Sequence, residues 1–355
     1  MKRTGNLYRS LAHGVTMVEL LVAMALGLFL VGVMGTIFLG SKSTFQAQNH
    51  VSRLQESARF TVDTLSGDLR MSGFRGCRGV GASTPLTNLL NTPTGFLYNF
   101  GLGIWASHHN GSAWAPALDA ALSSPALSPV PHLAGDVLTV RRTVGPGWAL
   151  TAEMASDTAA LNVTPTARIT SRDLLLVSDC VGSAVFQATN ATPGLDGSIE
   201  HSASVTATPG VSVSSLGRAY LQDALVFRLA TVTYYLAPSA RTGKTSQRAL
   251  WSHTTPVYDG TPQPQELVTG VEAFRVTLGL DSNADGAADA YVDPASVTDW
   301  TQVVTVQTEL LLASTEDNIT SSAQPYTFAG ATVTPTDRRL RTVVSTTTQV
   351  RNALR

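Results

Sequence analysis

Gly14-Val15-Thr16-Met17-Val18-Glu19-Leu20-Leu21-Val22-Ala23 opens an apolar run that reaches Leu39 with Glu19 as its only ionisable side chain. From Leu20 to Leu39 nothing titrates, and about 20 such residues wound into a helix cross the hydrocarbon core of a bilayer. Residues 1–14, MKRTGNLYRSLAHG, carry Lys2, Arg3 and Arg9 and no acid. A positive flank stays cytoplasmic, so everything beyond Leu39 is placed outside. A cleaved secretory signal has an apolar core of roughly 7–15 residues, shorter than this one. A plain signal anchor fits the length but gives no reason for Glu19, a carboxylate in a costly position.

The helix is expected to continue beyond the membrane, because no proline occurs before Pro85. Val51, Leu54, Ala58, Val62, Leu65 and Leu69 recur at spacings of three and four, one stripe of an amphipathic helix. Arg53, Glu56, Arg59, Asp63, Asp68 and Arg70 fall mostly off that stripe. From about Ser72 the composition changes to Gly, Pro, Ser and Thr, with short β-rich runs between turn signals. The candidate strands are Asp136–Arg141, Leu174–Ser178, Ala184–Ala188, Leu225–Leu236, Val271–Leu278, Val303–Ala313 and Arg341–Val350. Residues 79–135 read as a loop-rich insertion, and 189–216 as a polar loop or edge hairpin.

The fold class is therefore α+β: a long N-terminal helix, its first half membrane-spanning, packed on a mostly antiparallel β-sheet head. The expected divisions are a leader at 1–14, a transmembrane half-helix at 15–39, an amphipathic half at 40–72, and a head at 73–355.

Charged residues make up 14% of the 355, low against roughly 25% for a soluble chain, which suits an extracytoplasmic protein. The net charge of −1 provides no field toward nucleic acid, and the arginines form no stripe. Two cysteines, Cys77 and Cys180, occur without a C-x-x-C pair, so a zinc ribbon or thioredoxin-like motif is unsupported. In an exported chain one disulfide between them is the natural reading. It would close a loop of about 100 residues, worth on the order of 4–5 kcal/mol.

Asp281, Asn283, Asp285 and Asp289 stand in the pattern D-x-N-x-D-G-x-x-D, with Gly286 at the bend. Hard Ca²⁺ takes roughly six to eight oxygens, and alternating acids on such a loop supply them. The twelfth position is Val292 where a bidentate Glu belongs, with Asp293 one place later, so a free-standing loop fits better than a helical EF-hand. The same residues equally favour a simple hairpin turn. No H-E-x-x-H, G-x-S-x-G or P-loop occurs. His108 and His109 are adjacent, and adjacent strand residues point apart, so a shared metal is not the default. Trp105 and Trp114, in the insertion, are candidates for contact with a partner, though tryptophans more often fill cores.

With the basic leader before it and the apolar helix after it, Gly14-Val15-Thr16-Met17-Val18-Glu19 resembles the type IV prepilin cleavage motif. Asp173-Leu174-Leu175-Leu176-Val177-Ser178-Asp179-Cys180, Glu266-Leu267-Val268-Thr269-Gly270-Val271-Glu272 and Arg338-Arg339-Leu340-Arg341 through Arg351-Asn352 are similar to segments of PilW-type minor pilins. The resemblance implies cutting between Gly14 and Val15 by a prepilin peptidase and N-methylation of Val15, although Phe or Met is commoner than Val there. It gives Glu19 a role in assembly, its carboxylate neutralising the amine of a neighbouring subunit. The implied partners are the peptidase, other minor and major pilins, the inner-membrane assembly platform and membrane lipid. The implied location is the inner membrane with a periplasmic head, then the pilus. No enzyme activity and no required cofactor are implied, Ca²⁺ being the one candidate ligand. The rivals are a J-like pseudopilin of type II secretion and, from another class, a membrane-anchored periplasmic enzyme or ligand-binding module.

Overall fold

The computed structural model describes residues 14–76, 86–241, 243, 246–258 and 260–353. One helix, α1 (Met17–Met71), runs through both the apolar run and the amphipathic stripe. The chain forms two compact units, Met1–Ser52 and Arg53–Arg355. In the first, every side chain from Val15 to Leu39 is exposed, although this is the most apolar helical window in the chain. A surface of that kind, covered by nothing among the described residues of its own unit, is suited to lipid or to other helices.

In the second unit the stripe does what its spacing requires. Leu54, Thr61, Leu65, Ser66 and Leu69 are buried, while Arg53, Glu56, Arg59, Asp63 and Arg70 stay in solvent. Asp68 departs from the expected pattern. It accepts the Tyr234 hydroxyl at 2.6 Å and pairs with the Arg142 Nε at 2.8 Å, so this carboxylate ties α1 to the sheet. At the C-terminal end of α1, Asn352 Nδ2 donates to the carbonyls of Arg70 (3.1 Å) and Ser72 (3.0 Å). A helix end leaves carbonyls without partners, and here the last residues of the chain supply them.

Seventeen strands follow in the described residues. They are β1 (Leu86–Asn88), β2 (Ile104–His109), β3 (Trp114–Ala115), β4 (Val137–Ala149), β5 (Leu161–Asn162), β6 (Leu174–Ser178), β7 (Ser183–Gln187), β8 (Ser198–Ile199), β9 (Leu225–Pro238), β10 (Arg248–Thr255), β11 (Gln265–Thr269), β12 (Val271–Leu280), β13 (Ala290–Val292), β14 (Val303–Ala313), β15 (Tyr326–Phe328), β16 (Ala331–Val333) and β17 (Arg341–Gln349). Nine form one sheet, ordered β1-β7-β6-β9-β4-β2-β3, with β10 and β11 branching from β9. Four form a second sheet, β13-β12-β14-β17. All pairings are antiparallel except β1 with β7. The fold is α+β, as the sequence implies.

The stretch read as a loop-rich insertion thus supplies β1, β2 and β3, and two of these extend the main sheet beyond β4. The polar stretch 189–216 holds a short helix, α2 (Pro193–Asp196), and β8, which pairs with β5.

Strand β9 explains the branching. Its residues Leu225–Arg228 pair with β6 and Thr231–Pro238 with β10, so two strands share one side. Between them the Tyr258 hydroxyl donates to the Leu229 carbonyl at 2.6 Å, and Arg228 lies over the Tyr258 ring at 4.5 Å. Tyr258 satisfies backbone at the split, where no strand pairs. Strand β6 is buried along its whole length. Leu175 and Val177 face one cluster, with Phe186 and Tyr220, and Leu174 and Leu176 face another, with Phe100 and Phe227. A run of apolar residues without alternation is the mark of a strand covered on both faces. The main core joins Leu65 and Leu69 of α1 to Val140, Tyr234, Phe274, Val276 and Leu310, which brings both sheets onto the second half of α1.

Arg341, at the start of β17, is clamped from two sides. It meets both carboxylate oxygens of Glu272 (2.7 and 3.0 Å) and both of Asp337 (2.5 and 2.9 Å). The hydrogen bonds from Arg341 hold the Asp337 carboxyl below its usual 3.8, at about 2. A depressed carboxylate stabilises the fold fully above its unfolded value and loses that contribution as pH falls through its folded value. The difference in melting temperature between the native chain and Asp337→Asn is therefore expected to shrink as pH drops from about 4 to about 2. A difference that persists unchanged through that window would show that the clamp does not act through ionised Asp337.

Candidate functional site

The N-terminus of α1 brings together two of the sequence motif's residues, Thr16 and Glu19. Gly14, Val15 and Thr16 precede the helix and are exposed. The Thr16 carbonyl accepts from Leu20 N–H at 3.1 Å, the first bond of the helical ladder. Thr16 Oγ1 accepts from the Glu19 N–H at 3.2 Å. In return Glu19 Oε2 accepts from the Thr16 N–H at 2.9 Å and from the Thr16 hydroxyl at 3.0 Å. This is a capping box: each end of the T-x-x-E pattern satisfies a backbone donor of the other. The pattern is visible in the sequence, but the reading of Glu19 as an intermolecular partner left it unused. The Gly14–Val15 bond consequently lies outside the helix, two residues ahead of its first turn.

Cys180 lies two residues beyond the end of β6 and is disulfide-bonded, while Cys77 lies outside the described residues. The Ser178 hydroxyl donates to the Arg75 carbonyl, which sets the chain just before residue 77 beside the end of β6.

Asp281, Asn283, Asp285 and Asp289 lie on the loop between β12 and β13. Asp281 is buried and its oxygens accept the N–H groups of Ala284 (2.6 Å), Asp285 (3.2 Å) and Gly286 (2.9 Å). Asp285 accepts from Ala287 N–H, and Asp289 from Ser282 N–H and hydroxyl. These oxygens are turned onto the loop's own donors, and Gly286 takes the positive φ of +84° that the bend requires. Among the described residues no three His, Cys, Asp or Glu side chains converge as a metal site. The geometry is that of a hairpin turn held by Asx bonds.

His108 and His109 face different partners. His108 Nδ1 lies 2.6 Å from Asp136 Oδ1, while His109 meets the Trp114 ring edge-on at 5.2 Å. Arg275 Nη1 approaches the His108 ring, and its Nη2 bonds to Asp293. Asp136 is buried, which pushes its carboxyl upward, a shift opposed by His108, the Val276 N–H and Arg275. The cluster joins β2 to the second sheet. Trp105 is not on an exposed loop. It lies on β2, edge-to-face with Phe96 at 5.0 Å and beside Trp300 at 6.3 Å, a packing role. Trp114 is half-buried on β3 and lines an open groove of about 550 Å³ with Leu118, Leu122 and Val130, without a charged side chain in the lining.

The described chain thus joins an exposed apolar helical segment that becomes amphipathic, a capped helix start next to a Gly–Val bond, and an antiparallel β head. The profile of the family Type IV Pilus-assembly protein W matches residues 233–352. That stretch runs from within β9 to the end of the described head and contains two of the three similar segments, Glu266–Glu272 and Arg338–Asn352. The resemblance to PilW-type proteins is borne out there. Among solved structures, a type IV-like pilin from Thermus thermophilus aligns over 85% of this chain and 99% of its own, at 13% identity and a TM-score of 0.34. No curated protein matches the chain.

Proposed function

We propose that the chain is a minor pilin that takes part in assembling or priming a type IV pilus. The observation that carries the reading is the match of residues 233–352 to the pilus-assembly family, in a chain whose α1 begins with an exposed apolar segment. The helix anchors the protein in the inner membrane, with the head on the periplasmic side. A prepilin peptidase removes residues 1–14 and methylates Val15. Glu19 then serves assembly with other minor and major pilins at the inner-membrane platform, and the head makes the subunit-specific contacts. Cys180 pairs with Cys77. The proximity of Arg75 to Ser178 supports that pairing.

Intact-mass and N-terminal peptide analysis of the protein from its native membranes tests the reading. A chain beginning at Val15, with or without one methyl group, is the expected result. A chain still beginning at Met1 would overturn the processing, and the membrane-anchored periplasmic protein would replace it.

A further inference from the structure

We propose that Thr16 is the positioning residue for processing: by ending α1 at its own position it keeps the Gly14–Val15 amide in non-helical backbone, where the peptidase can reach it. The inference rests on the processing reading above. A carbonyl inside a helix is occupied by the N–H four residues on and shielded by the next turn. Were α1 to run back through Gly14, the scissile carbonyl would bond to Val18 N–H and the amide would be locked into a turn.

The surroundings favour that extension. The first N–H groups of a helix have no intrahelical partner, and in an apolar medium an unpaired N–H is costly. An apolar helix can satisfy them in two ways: by growing toward the leader, or by a side-chain cap. Thr16 supplies the cap. Its hydroxyl accepts the Glu19 N–H at 3.2 Å and its carbonyl accepts Leu20 N–H at 3.1 Å. An N-cap residue itself holds non-helical dihedral angles, so the helix stops there. Gly14 contributes from the other side. An added Cβ would meet nothing within 4 Å, so its smallness is not needed for packing, whereas its poor helix propensity discourages extension.

Glu19 and Thr16 therefore separate. In Glu19→Ala the hydroxyl of Thr16 still caps the N–H of residue 19, whereas in Thr16→Val the acceptor is gone and the shape is nearly kept. The test is the initial rate of cleavage of the full-length chain in reconstituted membranes by a prepilin peptidase. Thr16→Val is expected to be cut about fivefold more slowly or worse, and the cap-competent Thr16→Ser and Thr16→Asn to stay within about twofold of the native rate. Glu19→Ala is expected to stay in that same range, since it keeps the Thr16 cap. Native-rate cleavage of Thr16→Val overturns the proposal. So does a Thr16→Asn chain as slow as Thr16→Val, because the peptidase would then be reading the threonine side chain itself. A native chain that is not cut at all overturns the processing reading instead.

Discussion

Cells carrying Glu19→Ala are expected to shorten the protein normally at Val15 and to resemble a deletion of it in surface pilus counts. The capping box uses one carboxylate oxygen of Glu19: Oε2 takes both bonds from Thr16, and Oε1 has no partner among the described residues. The proposed cleavage at Val15 would create a primary amine four residues away, one helical turn. In a bundle of such helices the free Oε1 can meet the amine of a neighbour while Oε2 keeps the cap. A charged amine without its partner in apolar surroundings costs about 3–5 kcal/mol. That loss corresponds to about 10²–10⁴ in an association constant. Glu19→Gln sharpens the result. Its amide oxygen can still accept from Thr16, but it brings no charge, so it is expected to assemble as poorly as the alanine variant. Electron-microscopic pilus counts alongside the mature mass are the measurement. Normal piliation in Glu19→Ala would remove the pairing of amine and carboxylate from the account.

Arg141→Ala is expected to lower the unfolding temperature of the detergent-solubilised chain by several degrees, a loss of about 3 kcal/mol. Arg141, on β4, is 3% exposed. Its Nη1 donates to the Leu102 carbonyl at 3.1 Å, and its Nη2 and Nε to the Phe96 carbonyl at 2.6 and 3.3 Å. The guanidinium also lies over the Phe96 ring at 5.4 Å. Burial pulls its pKa down to about 10, which still leaves it charged at neutral pH, with peptide dipoles as its acceptors. Truncation would strand two carbonyls and release the segment from Phe96 to Leu102 that leads into β2. Circular dichroism melts check this. A variant melting within about a degree of the native chain would mean that the segment holds itself.

What the sequence disclosed follows from how local each signal is. The helix was legible because length, apolarity and a period of three to four act over neighbouring residues. Strands such as Leu174–Ser178 and Val303–Ala313 were legible because their apolar runs are bounded by turn residues. The far half of β4 was not, since Gly145-Pro146-Gly147 reads as a turn. There the strand carries a bulge between Val144 and Trp148, and Gly147 is required because a Cβ would lie 2.4 Å from the Phe227 ring. Strand β10 owes its existence to β9, with which it pairs along its whole length, and a pairing partner is not a local property. The grouping of His108, Asp136, Arg275 and Asp293 has the same cause, drawing together residues as many as 167 positions apart in one direct contact. At the site, the cleavage motif could be read directly, and so could the T-x-x-E cap. The turning of the Asp281 oxygens onto the loop's own amides could not, because sequence shows which donors are near but not which way an oxygen faces.

Asn352 fastens the end of α1 although some 280 residues of chain separate them. Synthesised from the N-terminus onward, the head has its helix from the outset and must wait for β17. Thr348, whose hydroxyl meets Ser66, arrives at the same late moment. Until then Leu65 and Leu69 have no complete floor to lie on. The closing of the head thus waits for Thr348 and Asn352, and a chain cut short ahead of Thr348 would lose its fold at the helix rather than at the cut.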